Sequence, residues 1–459
     1  MLFSPNSLLN IPSRWVSRAT FPLFDLYDHS DRLQELKRLQ RSQFLPYDII
    51  ESEQLDKLNE IMAYASQYVP YYAHYATLAH RTVPHLNSLV ELRQFPVLSK
   101  ADVRLAGEAL ITTDARIRGA LITSKTGGST GTSLFIKTDH AAQQHCNAAA
   151  MRSDMWAGWR PGDWTGCLWG SPEYPKSLKQ KIRNLLRDRL VYLDTMRLDP
   201  STMGAFLQLM QTRRIDSIFG HAHSLFILAD FAIREKIKVP APHAIVSTSM
   251  MLLAPERARI EEAFGCAVTD RYGCEEVGLI ASECEHHQGY HVCSEHVIVE
   301  ILDEQGQPCR PGEIGRVIVT GLNNRGMPLI RYEVGDLAAW AKQPCTCGRG
   351  LPTLERIVGR QADCLKRLDG SLVAGVSLVE RTLLVISGIA QLQLVQEAPD
   401  QLRAHVVLGE TGNAGEVTDE LTSALSRDLG ADMRITIEIA ARIPQEKNGK
   451  YRFAIRRFK

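Results

Sequence analysis

From about Leu110 to Asp270, short β-rich runs alternate with helical ones, and this alternation constrains the fold more than any other feature. ALITS, DWTGCLWG, SIFGHA and APHAIVSTS read as strands or strand ends. HAAQQHCNAAAMRSDMW, STMGAFLQLMQTRR and PERARIEEAFG read as helices. Strand and helix in turn imply βαβ units and a largely parallel sheet. Ahead of this region, LQELKRLQRSQFLP and ESEQLDKLNEIMAYASQ space their apolar residues three and four apart, as amphipathic helices do. They stop at VPYYAHY, where Pro70 interrupts the pattern. Over residues 291–340 the character changes: HVIVEILDEQGQPCRPGEIGRVIVTGL is two β-branched runs around a polar Gly/Pro connection, an antiparallel hairpin. After Gly359 the pattern returns to strand–helix–strand. The expected fold class is α/β: a large N-terminal domain over residues 1–358, with residues 1–95 mostly helical, and a small α+β C-terminal domain over residues 359–459.

Composition narrows the partners. The chain of 459 residues is 44% hydrophobic and 23% charged, the profile of a folded globular protein. Lys and Arg number 53 against 52 Asp and Glu, so no broad field draws in nucleic acid or an anionic membrane, and neither is expected as a partner. No run approaches the roughly 18 uncharged apolar residues of a spanning helix; the best, Leu225 to Ile233, is short and contains Asp230. MLFSPNSLLNIPSRW has no basic segment ahead of a long apolar stretch, so a reducing, cytoplasmic location is expected. Cysteine is the uneven residue: eight of ten lie between Cys266 and Cys364. In a reducing compartment such a cluster suggests ligands or buried thiols rather than disulfides.

The most informative stretch is Thr126-Gly127-Gly128-Ser129-Thr130-Gly131-Thr132-Ser133, three glycines and five hydroxyls in eight residues. Glycines let backbone amides approach an anion, and hydroxyls donate to phosphate oxygens. It is neither a Walker A loop nor a dinucleotide fingerprint, because no Gly-Lys-Ser/Thr and no G-x-G-x-x-G follows. Alone, it is equally a flexible surface turn. Four further motifs follow in order: Tyr272-Gly273-Cys274-Glu275-Glu276, Tyr332-Glu333-Val334-Gly335-Asp336, Gly359-Arg360, and Gly449-Lys450-Tyr451-Arg452.

Together these resemble the adenylate-forming enzymes, specifically the branch of phenylacetate–CoA ligases and capsule-biosynthesis proteins of the CapK type. Ser129-Thr130-Gly131 matches the centre of that family's loop, with Ser133 in place of its proline. The other four match its Y-G-x-x-E, Y-x-x-G-D, G-R and G-K-x-x-R motifs. The resemblance implies a small C-terminal domain that moves as a lid and carries the catalytic lysine. It implies ATP bound by residues 126–132, Ser249, Tyr272, Gly273, Asp336 and Arg360. Glu276 would hold Mg²⁺, which takes one or two carboxylates plus phosphate oxygens; the adjacent Glu275 is the alternative. Asp336 would accept from the ribose hydroxyls, and Arg360 would reach the ribose or phosphate edge. Lys450, a point charge on a flexible stem, would bridge carboxylate and α-phosphate oxygens. The family's paired acids after G-R are here Ala362-Asp363, so the first is missing.

Cys284-x₆-His291 and Cys345-x-Cys347 supply three thiolates and one imidazole, a tetrahedral set for Zn²⁺. Their spacing differs from ordinary fingers, and buried unligated thiols are the other reading; His286, His287 and Cys293 are substitutes for His291. The branch carries a similar pattern, which implies a structural zinc site. By resemblance the acyl pocket takes Phe219, Gly220, His221 and Thr248; His221 would meet a carboxylate or ring substituent, or be an ordinary buried histidine. The function implied is ATP-dependent activation of an aromatic or small carboxylic acid as acyl-AMP, then transfer to coenzyme A. An amine, hydroxyl or carrier-protein thiol is the alternative acceptor, and a non-catalytic nucleotide-binding relative the second alternative. A monomer or homodimer is expected.

Overall fold

The computed structural model describes residues 12–73, 85–125, 134–170, 172–212, 215–409, 411–443, 445–446 and 451–458. The N-terminal segment is helical as expected, with α1 at Arg32–Ser42 and α2 at Tyr47–Tyr68. Leu58, Ile61, Met62 and Ala65 of α2 are buried, and the helix ends at Tyr68, with Val69 as its extended cap ahead of Pro70. Ser99 and Asp102 form a reciprocal capping box that starts α3 at Lys100–Ala106.

The sheet begins with a correction. ALITS does form a strand, β1 at Ile122–Lys125, but it pairs antiparallel with β2 at Phe135–Thr138 and stays outside the parallel sheet. These two strands flank the Gly/Ser/Thr loop, whose residues 126–133 lie outside the described residues. Next comes α4 at His140–Trp156, capped by Asp139, whose Oδ1 accepts from the Ala142 amide.

The parallel strands are β3 at Thr165–Trp169, β4 at Leu190–Asp194, β5 at Ser217–His221, β6 at Ala244–Thr248 and β7 at Val268–Cys274. They run in the order β4-β3-β5-β6-β7. Helices α5 at Pro200–Thr212, α6 at Ala222–Arg234 and α7 at Ala254–Phe264 connect them. Ile218, Leu168, Ile245, Leu225, Leu228 and Ile260 are completely buried between strands and helices, the two-sided burial that parallel strands require.

At β7 the sheet changes to antiparallel. It continues through β8 at Gly278–Glu283, β9 at Tyr290–Val292, β10 at Val297–Leu302, β11 at Ile314–Gly321, β12 at Tyr332–Trp340 and β13 at Thr353–Arg360. The order from β7 outward is β8-β9-β13-β12-β11-β10, which makes one eleven-stranded sheet. The expected hairpin is β10–β11, in register from Val297↔Gly321 to Leu302↔Arg316.

After β13, β14 at Cys364–Lys366 pairs with β15 at Leu372–Ala374, followed by α8 at Gly375–Val385. A four-stranded sheet then forms from β16 at Ile389–Ala398, β17 at Gln401–Leu408, β18 at Arg434–Ile439 and β19 at Ala454–Arg456, in the order β18-β17-β16-β19. Between β17 and β18 lies α9 at Ala414–Leu429, whose Val417, Leu421, Leu425 and Leu429 recur every four residues and are all buried. They pack with Leu378, Leu392, Leu394 and Val406 into a core of their own. Each such leucine contributes about 1.5–3 kcal/mol by burial. No helix among the described residues is long and apolar enough to cross a membrane.

Candidate active site

In open α/β sheets, ligands gather beyond the carboxyl ends of the parallel strands, and here that is where the cavity lies. It measures about 790 Å³ and is walled by the ends of β5, β6 and β7, the start of β8, β12, β13 and the C-terminal tail. Phe219, Thr248, Ser249, Tyr272, Gly273, Glu276, Asp336 and Arg360 all line it.

Two motifs far apart in sequence interlock there. The Tyr272 hydroxyl donates to Asp336 Oδ2 at 2.9 Å, and the Tyr332 hydroxyl donates to Glu276 Oε1 at 2.8 Å. Each motif's tyrosine therefore holds the other motif's carboxylate. Burial, above all, pushes both phenols well above their ordinary range, so both remain donors at neutral pH. Burial also raises the Asp336 carboxyl, while Arg360 acts to lower it. Asp336 and Arg360 are register partners across β12 and β13.

Backbone geometry supports this arrangement at two glycines. Gly335 has φ +88°, the left-handed region that a side chain would strain. A Cβ on Gly273 would come within 2.6 Å of the Gly278 carbonyl, so the bulge that aims Tyr272 requires glycine. Ser249, at the exit of β6, is held at φ +66° without being glycine. Strain of this kind, costing roughly 1–3 kcal/mol, concentrates at functional sites.

Glu276 is 7% exposed, whereas Glu275 is exposed. Lys100 Nζ lies 3.6 Å from Glu276 Oε1. Lys100, with Arg104, Arg452 and Arg456, adds positive charge to the same wall as Arg360. Sequence reading passed over Lys100, although the S-K-A-D capping box that positions it is legible. A buried carboxylate with cations close by suits a metal–triphosphate, since Mg²⁺ takes few protein ligands and the phosphate needs neutralising.

The acyl-pocket residues divide. Phe219 and Thr248 line the cavity. His221 is 1% exposed and sits behind the wall, its ring 4.3 Å from that of Trp169. Gly220 is a packing position, because a Cβ there would come within 2.7 Å of Leu168. Trp169 takes the place on the wall that sequence reading gave to these two residues.

The C-terminal tail closes one side. Arg452 forms an ion pair with Asp363, the acid that remains after Gly359-Arg360. The Tyr451 ring stacks on His223 of α6 at 4.2 Å and 20°, and His223 Nδ1 is 2.6 Å from Glu256 Oε1 of α7. Lys447, Asn448, Gly449 and Lys450 lie outside the described residues.

Cys284, His291, Cys345 and Cys347 meet at the far side of β8 and β9, their ligand atoms all within 4.8 Å of one another. Cys284 and Cys345 sulfurs are 3.7 Å apart, and Cys347 Sγ is 3.3 Å from His291 Nε2. Tetrahedral zinc with thiolates at about 2.3 Å sets ligand atoms about 3.8 Å apart. His291 Nδ1 faces the Leu351 carbonyl at 3.3 Å, which leaves Nε2 for a metal. The donor set fits Zn²⁺.

The chain is similar to known proteins over most of its length. The family model described as the CapK C-terminal domain matches residues 365–457. Protein CapK of Staphylococcus aureus is 23% identical over 380 residues, covering 81% of this chain and 82% of that protein. The phenylacetate-coenzyme A ligase of Aromatoleum evansii is 25% identical over 427 residues, covering 86% and 90%. Among solved structures, 2-hydroxyisobutyryl-CoA ligase in the postadenylation state superposes with a TM-score of 0.72 at 21% identity, covering 91% of both chains. Against the same enzyme in the thioesterification state the score is 0.60.

Proposed function

We propose that this chain, a homologue of CapK and the phenylacetate–coenzyme A ligases with the adenylate-forming fold, activates a carboxylic acid with ATP as an acyl-adenylate and passes the acyl group to coenzyme A. The observation that carries the reading is the crossed pair of tyrosine–carboxylate bonds, which aims Glu276 and Asp336 into one cavity beside Arg360 and Lys100. Joining a carboxylate to AMP brings two anions together, so the site must neutralise charge that builds on the α-phosphate. Asp336 accepts from the ribose hydroxyls, and Tyr272 orients it. Lys450 supplies the cation between carboxylate and α-phosphate. Glu276 would hold Mg²⁺, which would neutralise charge on the phosphates. Cys284, His291, Cys345 and Cys347 would hold Zn²⁺, which would brace the loop after β8 against the loop between β12 and β13.

Ala362 favours a second reading, in which the acyl group goes to an amine, hydroxyl or carrier thiol. The family's first hinge acid is missing there, and the C-terminal match is to the CapK type. Supplying acid, ATP and each acceptor in turn, with AMP release as the readout, separates the two. Release stimulated by coenzyme A supports the first reading, and release only with another nucleophile supports the second.

A further inference from the structure

Beyond the nucleotide-facing motifs, the cavity continues to a wall formed by Trp169, Phe219 and Arg271. The Trp169 and Phe219 rings stack at 5.7 Å with 16° between their planes. The Arg271 guanidinium lies 5.4 Å from the Phe219 centroid, and its side chain is 12% exposed. Nη1 donates to Asp154 Oδ1 at 2.6 Å. Nε is buried and has no hydrogen-bond partner among the described residues. A guanidinium carries five donors in a fixed plane and accepts nothing. Nε is sealed from the cavity as well, whereas Nη2 makes no hydrogen bond among the described residues and keeps accessible surface, so a ligand that displaces water there without supplying an acceptor leaves a donor unmade at a cost.

The charge balance says what kind of complement. Asp154 already neutralises Arg271. A second carboxylate on the substrate would place an unbalanced anion beside Asp154. An uncharged oxygen would accept from Arg271 without that penalty, and a hydroxyl would in addition have a proton to donate. The stacked rings beside it present a flat apolar surface suited to an aromatic ring.

We infer that Arg271 reads an uncharged oxygen substituent on the substrate, which is therefore an aromatic carboxylic acid bearing a hydroxyl or keto group away from the carboxylate that is activated. This rests on the adenylation reading above. It assigns Arg271 to specificity and leaves the adenylation chemistry with Lys450, Glu276 and Asp336.

The test is acid-dependent exchange of pyrophosphate into ATP, run on matched sets: benzoate with its three hydroxy isomers, phenylacetate with its hydroxy isomers, and the benzenedicarboxylates. At least one hydroxy acid should exceed its parent about tenfold or more in kcat/KM, as expected when a buried donor goes unpaired in the complex with the parent acid, and the dicarboxylates should fall below the parent. In Arg271→Met combined with Asp154→Leu, which removes both charges together, that preference should collapse to within about threefold while the KM for ATP holds. Asp154→Asn alone, which leaves Arg271 in place, should raise the dicarboxylates relative to the hydroxy acids. Parent acids equal to their hydroxy forms, dicarboxylates best in the unaltered protein, or a preference that survives loss of Arg271 would each overturn the inference while leaving adenylation intact. Exchange with no acid at all would overturn the adenylation reading and this inference with it.

Discussion

Tyr332 is the residue whose role the chain's linear order hides most completely. It opens the Y-x-x-G-D motif, yet its hydroxyl serves Glu276 of the other motif. Tyr332→Phe keeps the ring and removes only that bond to a charged group, which is worth roughly 1.5–3 kcal/mol. Pyrophosphate exchange should fall at least tenfold in kcat/KM, with the thermal midpoint lowered by a few degrees. Asp270 gives a second residue-scale prediction. Burial, then the nearby Glu283, pushes its carboxyl up to about 7, while Ser247 and Tyr290 donate to it. Because the folded state holds the proton more tightly than the unfolded state, Asp270 disfavours folding increasingly as pH rises from about 4 to 7. The slope from one such group is at most about 1.4 kcal/mol per pH unit. Asp270→Asn should flatten that part of the stability–pH curve measured by denaturant titration. At this scale Glu276 and Asp336 were legible as candidates but not what holds them, because the holding bonds cross from β12 to the turn after β7. Arg271 was passed over for the same reason: only the fold sets it against Phe219 and Asp154.

Among elements, periodicity was legible where burial is one-sided. The four-residue stripe of α9 and the alternation of the β10–β11 hairpin both follow from it. It was silent on partners. ALITS has strand composition whether it joins the parallel sheet or pairs with β2, and β4, LVYLD, was not picked out as a strand at all. The Cys/His set shows the same division. Its residue types were legible, but their meeting depends on β9 pairing with both β8 and β13. Metal analysis of the purified protein should find one zinc per chain. Cys345→Ser with Cys347→Ser should abolish it and lower the thermal midpoint by several degrees, with loss of exchange activity following from the weakened brace. Metal-free protein with an unchanged midpoint would dismiss the zinc reading.

For the whole molecule, the question is how the C-terminal unit sits against the large sheet. Tyr451 stacked on His223 and Arg452 paired with Asp363 dock the tail beside the cavity. His223→Gln keeps a hydrogen-bonding partner for Glu256 but removes the ring on which Tyr451 rests. It should slow pyrophosphate exchange severalfold while leaving thioester formation from supplied acyl-adenylate unchanged or faster, as expected when one of two orientations loses a contact the other lacks. Rapid-quench measurement of the two half-reactions checks this, and equal slowing of both would make His223 merely structural.

That this cavity joins an acid to AMP with Lys450 as the bridging cation is tested most directly by exchange of labelled pyrophosphate into ATP. The prediction is exchange that depends on a carboxylic acid, and its loss by a factor of a thousand or so in Lys450→Ala protein that still binds ATP. Exchange that persists undiminished in Lys450→Ala, or that never appears with any acid, would contradict it.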